Sequence, residues 1–273
     1  MEYLNLGCGY RFISSSEWLN VDLVPANSEV VKCNFLKGIP LETGRFDLVY
    51  HSHVLEHFTK EDGKVFIQEC FRVCKPGGRI RIALPNLELI AQEYLKHLTL
   101  ALSGDQMAQD NYDWILLEMY DQTVRKSSGG EMLNYLSASN LLNKNYIEGR
   151  IGLLDRSLSN GTKGSENHRK PRIERALTKH SIEHAVSRFV DIFRYLFLGK
   201  SGFNYYTTGR FRAGGEIHQW MYDRFSLSRL LMETGFVEVK TFSALTSGIA
   251  SWADYGLDDP NESASLFIEG RKP

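Results

Sequence analysis

Histidine is the side chain whose ordinary pKa lets it take and return a proton near neutral pH. Four of the eight histidines stand where predicted elements meet. His51, His53 and His57 follow a strand-like run, and His218 ends a long stretch that returns to the last third of the chain. A second group is built for binding. The apolar run Tyr3-Leu4-Asn5-Leu6 breaks at Gly7-Cys8-Gly9-Tyr10, the pattern of a buried strand that ends in a turn where backbone must approach a ligand. The next strand-like run, Trp18-Leu19-Asn20-Val21-Asp22-Leu23, closes on an acid. In nucleotide-binding sheets a carboxylate at that place accepts hydrogen bonds from ribose hydroxyls, although a solvated turn aspartate would look the same.

These residues need a frame. Strands are expected at 3–7, 18–23, 30–33, 45–50 and 79–84, with a helix at 61–74 that has acids in its first turn and Lys75-Pro76-Gly77-Gly78 after its end. The gap between the first two strands is too short for a full crossover helix. Asn34 and Phe35, at the end of the third strand, could meet an adenine amino group and ring; an ordinary strand-end asparagine is the plain alternative. Helical patterns follow at 87–102, 106–124 and 131–142, then a basic loop at 161–171 and a helical pattern at 173–198. A helix at 226–233 and strands at 236–242 and 264–269 close the chain.

Composition limits the function. Of the 273 residues 42% are hydrophobic and 24% charged, as in a folded globular protein, and a formal net charge of -1 provides no global field for nucleic acid or membrane. The distribution is uneven: residues 161–212 hold 11 Lys or Arg against 4 Asp or Glu, a local +7. Cys8, Cys33, Cys70 and Cys74 show no Cys-x-x-Cys pairing and are expected as buried free thiols. With no leader-like start and no long apolar window, a cytoplasmic protein without an integral membrane segment is expected.

Taken in order, Leu4-Asn5-Leu6-Gly7-Cys8-Gly9, the strand-end Asp22, Phe46-Asp47-Leu48-Val49, Val54-Leu55-Glu56-His57 and Arg72-Val73-Cys74-Lys75-Pro76-Gly77-Gly78 resemble the motif set of class I S-adenosylmethionine-dependent methyltransferases. The likeness is to the small methyltransferase-domain type with Leu-Glu-His after the fourth strand. A dinucleotide fingerprint would need a third glycine, and position 12 is Phe12. The resemblance implies an α/β fold: a Rossmann-like doubly wound seven-stranded sheet with an antiparallel last strand, plus a mostly helical insertion. It divides the chain into a cofactor-binding domain, 1–86 with 216–273, and a helical insertion, 87–215, that acts as lid and substrate region. It implies S-adenosyl-L-methionine as cofactor, held by Asn5, Gly7, Cys8, Gly9, Tyr10, Asp22, Leu23, Asn34, Phe35, His51 and His53.

The expected activity is methyl transfer, to oxygen or nitrogen, on a small or carbohydrate-like acceptor; the local +7 favours an anionic one. A nucleic-acid (RNA) methyltransferase and a non-catalytic cofactor-binding protein are the alternatives. His218 is the first choice for a base and His53 the second. His53, Glu56 and His57 could also be read as metal ligands on one turn, but nothing else in the sequence completes a site, and no metal is expected. The apolar part of 173–198 reads foremost as a core or subunit-interface helix, which would make the insertion a homodimer contact, with a membrane-surface helix or a nucleic-acid contact as the other readings.

Overall fold

A computed structural model of the chain describes residues 1–138, 140–152 and 179–273. Its centre is a seven-stranded sheet of order β3-β2-β1-β4-β5-β7-β6. The strands are β1 (Tyr3–Leu6), β2 (Trp18–Asp22), β3 (Val30–Lys32), β4 (Phe46–Ser52), β5 (Cys74–Pro85), β6 (Val237–Phe242) and β7 (Ser265–Arg271). β7 runs antiparallel to both β5 and β6, and the other pairings are parallel. The order reverses between β1 and β4, which opens a crevice beyond their carboxyl ends. The near-continuous apolar runs of β1 and β4 follow from burial on both faces.

Helices α1 (Lys60–Val73) and α8 (Arg224–Thr234) cover one face. Phe66, Ile67, Cys70, Leu227 and Leu231 pack there on Leu4, Leu6, Val49 and Ile80. All four cysteines are free and buried. The opposite face is covered by the chain that follows β6: Trp252, on a short 3-10 helix (Trp252–Tyr255), and Leu257 pack on Tyr3, Trp18, Leu48 and Tyr50.

Through that second face runs Arg81, fully buried on β5. Its guanidinium lies 2.7 Å from Asp258 and 2.6 Å from Glu269 of β7, donates to the carbonyls of Ser243 and Thr246, and stacks over Trp252 at 4.6 Å. Five donors thus find carboxylate or carbonyl acceptors, the condition under which a buried cation is tolerated.

The loop between β1 and β2 forms no helix. Buried asparagines hold it instead: the Asn5 amide donates to the Arg11 carbonyl at 3.0 Å, and Asn20 donates to the Ile13 carbonyl at 2.9 Å. Three expectations need correcting. Lys75-Pro76-Gly77-Gly78 falls inside β5, as an irregularity between the Phe46–Cys74 and Leu48–Arg79 pairs, because the chain end pins it: Gly77 N–H donates to the Lys272 carbonyl and Lys272 N–H to that of Gly78. The single helix expected over 106–124 is α3 (Gln106–Leu116), a π-helical turn (Leu117–Asp121) and the short α4 (Gln122–Val124). The widened turn swings Glu118 and Asp121 inward to ionic partners. The helix expected over 131–142 stops early as α5 (Gly130–Leu136), and a separate α6 (Lys144–Ile151) follows.

α2 (Leu87–Leu102) keeps the expected bounds. The basic loop at 161–171 and the start of the helix expected at 173 lie outside the described residues. α7 (Lys179–Arg212) runs beyond 198 and is broken at Gly199, whose φ is 67°. The chain folds back there: Tyr195 meets Phe203 with ring centroids 5.6 Å apart, and Arg194 lies 4.7 Å above the Tyr206 ring.

Replacing Arg81 by Met would strand Asp258 and Glu269 without their cation. A loss of about 3–5 kcal/mol in urea unfolding is expected, while a fall below ~1 kcal/mol would show that the triad is dispensable.

Candidate functional site

Two clefts meet at the carboxyl ends of the strands. The first, about 330 Å3, is walled by Gly7 after β1, Asp22 at the tip of β2, Asn34 and Phe35 after β3, and His53 and Val54 after β4. Gly7 has φ 66°, and a Cβ there would lie 2.3 Å from Val54 Cγ2, so glycine is required by both conformation and space. The turn aims the acid: Asp22 accepts from Gly9 N–H at 2.9 Å and from Val24 N–H at 2.8 Å. Each carboxylate oxygen keeps a further lone pair for a ligand. Among the described residues neither Lys nor Arg lines this cleft, whereas Asp22 and Asp62 do.

The second cleft, about 410 Å3, lies between the ends of β4 and β5 and the helices of 87–152. Ile90, Met132, Leu133 and Leu136 give it an apolar side. Its cations are matched: Arg150 pairs with Glu118 at 2.6 Å, and Arg125 with Asp121 at 3.0 Å and Glu216 at 3.3 Å.

His53 lines both clefts. It has φ 53°, in the left-handed region that a residue other than glycine seldom occupies, so its place is imposed by its surroundings. Its Nδ1 is 3.2 Å from Glu56 Oε1 and its Nε2 is 2.9 Å from Glu262 Oε1. Burial would lower the imidazole pKa, but the hydrogen bonds to Glu262 and Glu56 carry it up to about 10. Burial would likewise raise the Glu56 pKa, and the hydrogen bond from His53, with the histidines around it, draws it down to about 2. At neutral pH His53 is a cation clamped by two carboxylates and donates protons at both nitrogens.

His218 is different. It lines the second cleft and is buried, and burial lowers its pKa to about 4, so it is neutral at pH 7. Its Nε2 is 4.0 Å from Glu56 Oε1, and its Nδ1 is buried without a partner. Its ring meets that of His57 edge to face at 4.9 Å, and His57 Nδ1 stands 3.2 Å from the Ile217 carbonyl. The returning strap hangs on the same turn, since Gln219 N–H donates to the Glu56 carbonyl at 2.7 Å and His218 N–H to that of Gln122 at 2.9 Å.

Of the residues expected at the cofactor, Gly7, Asp22, Leu23, Asn34, Phe35 and His53 come together in the first cleft. Gly9 acts through its bond to Asp22, and Asn34 Oδ1 is spent on capping Leu36 N–H. Asn5, Cys8, Tyr10 and His51 stand off it. The Asn5 amide holds the 8–13 loop, burial pushes the Cys8 thiol up to about 11, and Tyr10 is 91% exposed. His51 points the other way: alternation along β4 sets it with Val49 on the α1 face, against Phe66, and opposite to Leu48 and Tyr50. Glu262, Glu216 for Arg125 and Glu118 for Arg150 carried no sequence signal, because each acid comes from a distant segment; only Asp121, four residues before Arg125, is local.

The model of the family described as "Methyltransferase domain" matches residues 4–82. No curated protein matches the chain. Among solved structures, one from Galdieria sulphuraria, provisionally assigned as a sarcosine dimethylglycine methyltransferase, is 25% identical over 31% of this chain, with a TM-score of 0.27. The chain spans 38% of that protein's length. An S-adenosylmethionine-dependent methyltransferase from Thermotoga maritima aligns over 100% of this chain and 82% of its own at 11% identity and a TM-score of 0.37. One from Aquifex aeolicus aligns over 32% and 57% at 16% identity and a TM-score of 0.26. At these scores the likenesses carry no functional weight.

The titrations have opposite signs. His51 and His218, both lowered to about 4 from 6.5 by burial, contribute stability that is present above about pH 6.5 and is lost as pH falls toward 4. His53, raised to about 10, contributes stability that is present below 6.5 and is lost as pH rises through 10. Urea unfolding from pH 4 to 10 is therefore expected to show a maximum near neutrality. Replacing His51 by Leu should flatten the acid limb by on the order of 3 kcal/mol at its foot. An acid limb unchanged in that variant would mean that His51 titrates normally.

Proposed function

We propose that this chain, whose residues 4–82 belong to the methyltransferase-domain family, transfers a methyl group from S-adenosylmethionine to a small or carbohydrate-like acceptor held in the second cleft. One observation carries this reading: a cleft with ribose-binding features and a separate, partly apolar cleft share His53 as a common wall. A donor in one and an acceptor in the other would be held side by side, and such placement is the largest contribution a protein can make to a transfer whose leaving group is already good.

The residues fit the cofactor. Asp22 offers its carboxylate to ribose hydroxyls, Gly7 lets the chain approach, and Phe35 supplies an apolar surface for a base. A cleft that two aspartates line, with neither Lys nor Arg among the described residues, suits a sulfonium cation better than a pyrophosphate. When bound, S-adenosylmethionine supplies a methyl group on a sulfonium centre whose departing group is a neutral thioether.

The chain's own residues supply the rest. His218, neutral and lining the acceptor cleft, is the base we assign for a hydroxyl acceptor. Glu56, at 4.0 Å, stabilises the imidazolium that results. His53, already protonated, cannot serve as the base and instead orders the partition through Glu56 and Glu262. Arg125 and Arg150 in this cleft are already matched by acids. An acceptor with hydroxyls and an apolar flank suits the lining better.

Mass spectrometry of ligand released from the purified protein should find adenosylhomocysteine or S-adenosylmethionine, and a dinucleotide there would overturn the reading. In isothermal titration with adenosylhomocysteine, Asp22→Asn should weaken binding about tenfold or more, and Gly7→Val should abolish it. His218→Gln should keep cofactor affinity and lose methyl transfer to sugar and small hydroxylic acceptors by about a hundredfold or more. Retained turnover would remove His218 as base while leaving the enzyme reading intact.

A further inference from the structure

Among the described residues, a run of exposed apolar side chains lies apart from the lining of both clefts. On α7, Phe189, Phe193, Leu196 and Phe197 recur at the spacing of one helix face and are 67–82% exposed. The helix is not short of packing: past Gly199 it doubles back, and Tyr195, Phe203, Tyr206 and Arg194 fill the seam between the two arms. The apolar stripe therefore faces outward from an already packed hairpin. At the tip, Leu198, Gly199 and Lys200 are exposed as well.

We propose that this hairpin docks the protein on an anionic lipid surface, a property beyond the methyl-transfer reading and independent of it. Charge selects the occupant. Residues 189–212 carry Arg194, Lys200, Arg210 and Arg212 against the single acid Asp191, inside the stretch of local +7 in a chain whose net charge is -1. An apolar stripe flanked by basic residues on a helix of this kind lies in the plane of the headgroups, its aromatic side below them and the exposed Lys200, Arg210 and Arg212 among the phosphates, while Arg194 stays in the seam beside Asp191. A second copy on the same face would bring two basic hairpins together, with each copy's Lys200 and arginines facing like charge. The attachment is peripheral, because among the described residues no helix is long and apolar enough to cross a membrane.

The position of the hairpin adds a consequence. Its second arm runs directly into Ala213, Gly214 and Gly215, which line the first cleft. Docking would hold that cleft near the headgroups.

The experiment is vesicle flotation of the full chain with liposomes of phosphatidylcholine alone and of equal parts phosphatidylcholine and phosphatidylglycerol, at low and high salt. Flotation with the anionic vesicles only, reduced by salt, is expected. Phe193→Glu combined with Phe197→Glu should abolish it, and Lys200→Glu should weaken it about fivefold, with adenosylhomocysteine affinity and urea midpoint unchanged to show that the fold survives. Absence of flotation at low salt, or flotation indifferent to these variants, would overturn the proposal. So would a dimer by light scattering that the double variant splits, or salt-sensitive binding to a mixed-sequence RNA without vesicle binding.

Discussion

The site depends on one buried acid. Glu56 has no water to solvate it, and a carboxylate so placed must either take up a proton or be surrounded by donors and cations. It is given His53, at 3.2 Å, and His218 nearby, while its backbone carbonyl receives Gln219 N–H. The demand of one charge thus draws together the turn after β4 and the strap that returns to α8. It also explains the φ of 53° at His53, which brings the imidazole between Glu56 and Glu262. Backbone strain of this kind persists only where the surroundings over-determine it. The partition between the two clefts is therefore an electrostatic structure before it is a steric one.

A second buried charge does comparable service on the far side of the sheet. Where α1 and α8 cover one face with ordinary apolar packing, the other is closed by the irregular chain around 243–258, and loops bury few side chains of their own. Arg81 supplies what periodic packing would have supplied. It gathers the carbonyls of Ser243 and Thr246 and the carboxylates of Asp258 and Glu269, and its flat face lies on Trp252. Because β7 contributes Glu269 to this cluster, the antiparallel strand is fastened to β5 by charge as well as by its hydrogen-bond ladder.

How legible was this in the residues? The strands that build the first cleft were readable because they are short, apolar and punctuated by Gly7, Asp22 and Asn34, and local pattern suffices where local chemistry decides. Alternation within β4 groups His51 with Val49, opposite Leu48 and Tyr50, but which face each set takes is decided by the packing of α1, and nothing in the run itself announces that. The break of 106–124 into α3, a π-helical turn and α4 was invisible for another reason. Helical spacing is continuous through Glu118, and the partner that its inward turn meets, Arg150 of α6, lies 32 residues away in sequence. The pairs that set the character of the second cleft, His53 with Glu262 and Arg125 with Glu216, join segments roughly 90 to 200 residues apart, and nothing in either segment alone announces them.

The two clefts divide the electrostatic work in a way that bears on chemistry. The first is lined by Asp22 and Asp62, with no Lys or Arg among the described residues, and so favours a ligand of positive charge. In the second, ions are matched pair by pair, which leaves an apolar surface interrupted by dipoles and a neutral imidazole. A cationic donor and an uncharged acceptor would each find the compartment with the lower desolvation cost, with the His53 cation between them. That cation is not a free repulsive charge toward the donor, because Glu56 and Glu262 cancel it on both sides. What remains is an oriented ring with its protons already committed. A neighbouring His218 then faces no competing base, and the burial that keeps it neutral also excludes the water that would otherwise compete for the donor's methyl group.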